Sequence, residues 1–203
     1  MNILVILGHP QPGSLNHAIA EQTVETLRSQ GHQVVFHDLY QEGFDPILPS
    51  SEIPRGAQLS PEVLRHCEEL TAADGIVIIH PNWWGMPPAV LKGWVDRVMR
   101  VDVAYNFVGE DGGEGVPQGL LKATRALVFN TSNTATEREQ NVFGDPLERI
   151  WKDCIFELCG VRDVHRRMFN IVCISSLPER EAWLAETRDT VRRLFPADQS
   201  SSA

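Results

Sequence analysis

An α/β architecture, a parallel sheet with helices on both faces, is predicted by three observations in this 203-residue chain. Segments that read as strands alternate five times with segments that read as helices. The strand segments are apolar throughout, as strands buried on both faces are. Gly and Pro collect where strands give way to helices, and no repeat or linker interrupts the alternation.

The first strand is Ile-Leu-Val-Ile-Leu, 3–7, stopped by Gly8. From 15 to 29, Leu15, Ile19, Val24 and Leu27 recur at helical spacing, and Gly31 marks the helix end. Gln-Val-Val-Phe-His, 33–37, reads as the second strand, followed by a long Pro- and Gly-rich connection. Ser60-Pro61-Glu62 combines an N-cap with a proline at the first helical position, starting a helix that runs to about Ala73. Gly-Ile-Val-Ile-Ile-His, 75–80, is the third strand, and Pro87-Pro88 open the helix after it. A Gly-rich irregular loop is expected over 102–119, a fourth strand over 125–130 and a fifth near 165–174, with helices near 145–159 and 179–195. One domain is expected over 1–196, followed by a disordered tail over 197–203.

The composition, 42% hydrophobic and 22% charged, is that of an ordinary globular chain. A formal net charge of -9 argues against a nucleic-acid surface or an anionic membrane as partner. The cysteines, 67, 154, 159 and 173, form no CxxC pair and read as reduced thiols. No apolar run approaches the ~20 residues that span a bilayer, and the opening Met-Asn-Ile-Leu-Val-Ile-Leu-Gly lacks a signal peptide's basic start. The expected location is the cytoplasm, and no set of residues has metal-ligand spacing.

Parallel sheets bind ligands beyond the carboxyl ends of their strands, where strand order reverses. Unusual residues should therefore gather after strands one, three and four. After strand one comes Gly-His-Pro-Gln-Pro-Gly-Ser-Leu-Asn, 8–16, with Ser14 at the helix N-cap. Free amides there, with the Ser14 hydroxyl and the Asn16 amide, would seat a phosphate, although an N-cap serine needs no ligand to explain it. The loop carries neither GxGxxG nor GxxxxGK[ST]. His9 reads as a neighbour of the bound group, His17 as a loop or surface residue. After strand three, Pro81 and Gly85 bracket Asn82-Trp83-Trp84. A tight bend cannot bury two adjacent indoles, so an aromatic shelf for a flat heteroaromatic ring is expected. After strand four, Thr131, Ser132 and Asn133 form a polar wall, and Glu137, Arg138 and Glu139 read as helix-surface charge. A phosphate seat, an aromatic shelf and a polar wall match the parts of flavin mononucleotide (FMN).

These stretches resemble a known family. GHPxxxSxN (8–16), DLYxxxFDP (38–46), LSPEV with LTAAD (59–74), PxWWGxPxxLKGWVDRV (81–98) and FGDPLERIW (143–151) look like the flavodoxin-like NAD(P)H:quinone oxidoreductases. That group includes DT-diaphorase, the modulator-of-drug-activity quinone reductases and the ancillary subunits of potassium-efflux systems. The resemblance covers roughly residues 1–160. It implies a three-layer α/β/α sandwich with a five-stranded parallel sheet ordered 2-1-3-4-5. It implies that His9, Ser14, Leu15 and Asn16 hold a flavin phosphate, that Pro81, Asn82, Trp83 and Trp84 line the isoalloxazine, and that Thr131, Ser132 and Asn133 stand beside its pyrimidine end. It also implies FMN, with FAD as the alternative, NAD(P)H as electron donor, a quinone-like acceptor reduced by two electrons, and a homodimer.

The chain departs from the family where many relatives have Thr-Thr-Gly-Gly, since it has Asn130-Thr131-Ser132-Asn133. Phe143 stands where the best-known members have a histidine that buffers charge on the reduced flavin, so no catalytic residue is assigned. Two other readings are a regulatory flavoprotein subunit of a potassium-efflux transporter and a one-electron flavodoxin-type carrier. The second fits poorly, because such carriers use a Thr- and Gly-rich phosphate loop.

Overall fold

The computed structural model describes residues 1–107, 115 and 117–197. Its elements run β1 (Asn2–Leu7), α1 (Leu15–Ser29), β2 (Gln33–Asp38), α2 (Pro61–Ala72), β3 (Gly75–Pro81), α3 (Ala89–Val98), β4 (Tyr105–Phe107), β5 (Pro117–Gly119), β6 (Arg125–Ser132), α4 (Thr136–Asn141), α5 (Pro146–Arg149), β7 (Asp163–Asn170) and α6 (Leu177–Leu194). Five strands form one parallel sheet in the order β2-β1-β3-β6-β7, which is 2-1-3-4-5 when the sheet strands are counted alone.

Alternation along each central strand divides the core. Ile3, Val5 and Leu7 of β1, with Val77 and Ile79 of β3, pack under α1 and α6. Leu4 and Ile6, with Ile76 and Ile78, pack under α2 and α3 and against Trp94 and Trp151. Both faces are covered, which is why these strands are continuous apolar runs.

Several expected boundaries move. The fourth sheet strand extends to Ser132, so Thr131 and Ser132 are strand residues, each 6% exposed, while Asn133 is exposed beyond the strand end. The fifth ends at Asn170, and Val172–Ile174 is a turn of 3-10 helix. The expected helix at 145–159 is a short α5 that widens into a π-helix over Ile150–Phe156. The expected loop at 102–119 contains the antiparallel pair β4–β5, and its residues 108–114 and 116 lie outside the described residues. The expected tail also lies outside them from residue 198 on. Among the described residues, no helix is long and apolar enough to cross a membrane.

Candidate functional site

At the carboxyl edge of the sheet, the turns after β1, β3 and β6 enclose a cavity of about 470 Å³, within the range of small-molecule sites. Its lining includes every residue expected from the sequence except one: His9, Ser14, Leu15, Asn16, Pro81, Asn82, Trp83, Thr131, Ser132 and Asn133. The exception is Trp84. Its backbone takes the left-handed conformation at φ 59°, which turns the indole outward to 96% exposure, away from the cavity. Of the two, Trp83, 41% exposed, lines the cavity, with the His9 ring 6.3 Å away, centroid to centroid.

The first wall is the start of α1. Ser14 caps the helix and accepts a hydrogen bond from the His17 amide at 3.4 Å. The Leu15 and Asn16 amides belong to the first turn, which has no intrahelical acceptors, and their positive dipole end faces the cavity. Asn16 is 2% exposed and donates to Thr131 Oγ1 at 2.8 Å, joining this wall to the β6 wall; its Oδ1 is buried without a partner. Burial holds the imidazole of His9 below the usual histidine range, against the opposing pull of its hydrogen bond to the Gln11 carbonyl.

The second wall is the Trp-bearing bend. The Asn82 amide donates to the Thr131 carbonyl at 2.6 Å, carrying the β3–β6 ladder past the sheet edge. The Asn82 side chain accepts from the Gly85 amide at 2.9 Å and donates to Glu139 Oε1 at 3.0 Å. Gly85 is required at φ 72°, and a Cβ there would come within 2.7 Å of Pro146 Cγ, so the bend packs directly on the α4–α5 turn. Below the bend lies a buried polar network. His80, 0% exposed, donates from Nδ1 to the Pro81 carbonyl at 2.8 Å. Its Nε2 accepts from Trp151 Nε1 and Asn130 Nδ2, both at 2.8 Å. Burial pushes the His80 pKa down to about 4, so the ring stays neutral at pH 7. Arg166 donates to Asn130 Oδ1 at 3.0 Å, to Glu148 at 2.8 Å and to Asp145, extending the network beneath the third wall.

Glu139, read as helix-surface charge, and His17, read as a loop or surface residue, are placed otherwise: Glu139 is buried and His17 is a half-buried residue of α1. Glu139 is 1% exposed and anchors the Trp-bearing bend, whereas its neighbour Arg138 is exposed and lies over the Phe143 ring at 5.2 Å. His17 is wedged between Ser14 and Asp38. Gln11, Gly13, Thr134, Val172 and Arg180, not among the expected site residues, complete the lining. Arg180 brings a permanent cation, held by Ser175 Oγ at 2.8 Å. The signal for it was present: Ser176 and Glu179 form a capping box, which places Arg180 in the first turn of the helix after β7, at this same sheet edge.

The four cysteines are free, Cys67 and Cys159 buried and Cys154 and Cys173 exposed; burial pushes the two buried thiols up to about 11.

Comparison with known proteins agrees with this architecture. An NAD(P)H oxidoreductase of Haemophilus influenzae is 29% identical over 91% of this chain and 91% of its own length. The NAD(P)H dehydrogenase (quinone) 1 of Rattus norvegicus is 32% identical over 77% of this chain and 64% of its own. The solved structure of an NAD(P)H:quinone oxidoreductase from Methanothermobacter marburgensis superposes with a TM-score of 0.82 at 25% identity, covering 96% of both chains. The family model described as flavodoxin-like fold matches residues 1–194, and the chain belongs to the flavodoxin-like family of NAD(P)H:quinone oxidoreductases.

Proposed function

We propose that the chain is a flavin-dependent NAD(P)H oxidoreductase that reduces quinones or similar acceptors by two-electron transfer, with FMN as its resident cofactor. One observation carries this reading. An anion-seating helix start, an exposed indole and a polar strand end, far apart in sequence, line a single cavity of flavin size. The donor set fits the group. The amides of Leu15 and Asn16, with Ser14 and Arg180, suit a phosphate. The partnerless Asn16 Oδ1 is an acceptor that a polyhydroxylated chain would satisfy, and leaving it unpaired costs about 1–3 kcal/mol.

The chemistry a bound flavin supplies is hydride acceptance from nicotinamide and two-electron delivery to the acceptor. The protein's part is positioning. Trp83 would provide a flat contact for the ring, and Asn82, fixed by Thr131, Gly85 and Glu139, would hold the backbone amides of the bend available to it. His80 is locked as the Nδ1–H tautomer under Pro81 and keeps the floor rigid. Phe143 is 50% exposed and offers no proton.

A homodimer is part of the reading. Trp84 and Met86 on the bend, and Val142 and Phe143 on the turn before Pro146, are exposed apolar side chains that a second copy would cover. Free thiols at all four cysteines fit the cytoplasm. The test is to purify the chain, identify the released chromophore by mass, and follow NADH and NADPH oxidation with a benzoquinone acceptor. FMN and quinone-dependent oxidation are expected. A chain that stays colourless with excess FMN and FAD, or a flavin-loaded chain inert toward every quinone and azo acceptor, overturns the reading.

A further inference from the structure

Behind Ser14, on the side away from the cavity, His17 and Asp38 continue the wall. The Ser14 hydroxyl lies 2.8 Å from His17 Nδ1, and His17 Nε2 lies 3.1 Å from Asp38 Oδ2. Asp38 ends β2 and is 7% exposed; its Oδ1 accepts the amides of Tyr40 and Gln41, each at 3.2 Å. Every contact of Asp38 uses an acceptor, so the hydrogen shared with His17 sits on Nε2. A neutral His17 ring then offers only a lone pair at Nδ1. That lone pair takes the single hydroxyl hydrogen of Ser14, and Ser14 is left showing lone pairs to the cavity. A phosphate oxygen is also an acceptor, so the present arrangement presents it with the wrong partner.

Protonation of Nδ1 reverses the polarity. His17 then donates to the Ser14 oxygen, the hydroxyl hydrogen is freed to point into the cavity, and the ring charge is balanced by the Asp38 carboxylate. We propose that His17 and Asp38 belong to the phosphate seat, and that binding a phosphate monoester at Ser14 draws one proton from solvent onto His17 Nδ1. This rests on the flavin reading of the cavity and adds its pH linkage. His17 reaches the ligand only through Ser14 and is a positioning residue. The other groups facing it are His9, edge-on at 5.9 Å, and Tyr40 and Gln41, which with it line a smaller cavity of about 260 Å³; Glu21 lies one turn further along α1. Burial disfavours a charge on His9 and the charge of Arg180 is permanent; a pH slope that survived in H17Q would therefore assign the proton uptake to His9.

The test uses the full chain freed of flavin, titrated with FMN and with riboflavin between pH 7 and 9. The FMN phosphate stays a dianion there, because its second pKa is about 6. FMN affinity should fall with rising pH, by up to tenfold per unit, while riboflavin affinity stays flat. Calorimetry in buffers of different ionisation enthalpy should show proton uptake with FMN and none with riboflavin. His17→Gln should weaken FMN about tenfold at pH 7, flatten its pH profile and leave riboflavin unchanged. Asp38→Asn should move the fall in FMN affinity to lower pH. Matching pH profiles for the two ligands, absence of proton uptake with FMN, or a slope retained in H17Q would overturn the proposal with the flavin reading intact. Should H17Q not fold, calorimetry on the unaltered chain decides. A chain that binds neither flavin overturns the cavity reading and this proposal together.

Discussion

Lowering the pH from 7 to 5 should cost the fold about 2 kcal/mol through His80 alone. The ring is fully buried, its Nε2 already accepts two hydrogen bonds, and its pKa is pushed down to about 4, against 6.5 for an ordinary histidine. Between those values the unfolded chain binds a proton that the folded chain refuses. The stability His80 confers as a neutral ring is complete above about pH 6.5 and drains away as the pH falls toward 4. Integrating the difference in bound protons from pH 7 to 5 gives about 1.8 kcal/mol for a folded pKa near 4. His66, 1% exposed with Trp94 Nε1 donating to its Nδ1, has a pKa pushed down to about 3 by burial and should add a similar amount. The assay is urea unfolding followed by tryptophan fluorescence at pH 7, 6 and 5, for the unaltered chain and His80→Gln. The glutamine keeps a polar partner for Trp151 but cannot titrate. The variant should be less stable at pH 7 yet lose about 2 kcal/mol less on acidification. Parallel curves for the two proteins from pH 7 to 5 would refute the reasoning. Protonation would fall on Nε2, where it opposes the Trp151 and Asn130 donors, while the Nδ1 bond to the Pro81 carbonyl persists.

Other outcomes follow from the same geometry. Gly93→Ala should destabilise the chain by about 1–3 kcal/mol or more, because its Cβ would sit 2.2 Å from the Pro46 carbonyl oxygen; the measurement is the urea midpoint. Trp83→Ala should weaken flavin binding and reduce flavin fluorescence quenching, whereas Trp84→Ala should leave both unchanged and weaken self-association, read by analytical ultracentrifugation. Arg180→Met should weaken FMN roughly ten- to a hundredfold, as expected for a lost charge-assisted hydrogen bond of about 1.5–3 kcal/mol, and should weaken riboflavin much less.

The parallel sheet was legible because β1, β3 and β6 are buried on both faces and say so residue by residue, whereas its strand order came from the family resemblance alone. The cavity was legible because Pro, Gly and polar residues concentrate at the three turns that strand order brings together. What stayed hidden depends on side-chain direction. Adjacent tryptophans looked equivalent, but left-handed backbone at Trp84 and Gly85 leaves the Trp84 indole exposed while Trp83 lines the cavity. Glu139 sits in a run of alternating charge, and nothing in that run reveals that Asn82, distant in sequence, reaches it. His17 carries no metal-ligand spacing, and its partner Asp38 is set by the β1–β2 register rather than by proximity along the chain.

The last turn of α6 is fastened at the sheet end remote from the cavity. Phe195 lies under Gly75 at the start of β3, where a Cβ would come within 2.6 Å of its ring, and its carbonyl accepts from Gln30 and from His32, at 3.1 Å for His32. A fluorescent or affinity label joined after Ala197 would therefore hang from the opposite pole of the molecule to the ligand mouth. Immobilising the chain through such a label would leave that mouth open to solution, whereas trimming back through Phe195 would pull the fastening out of the core.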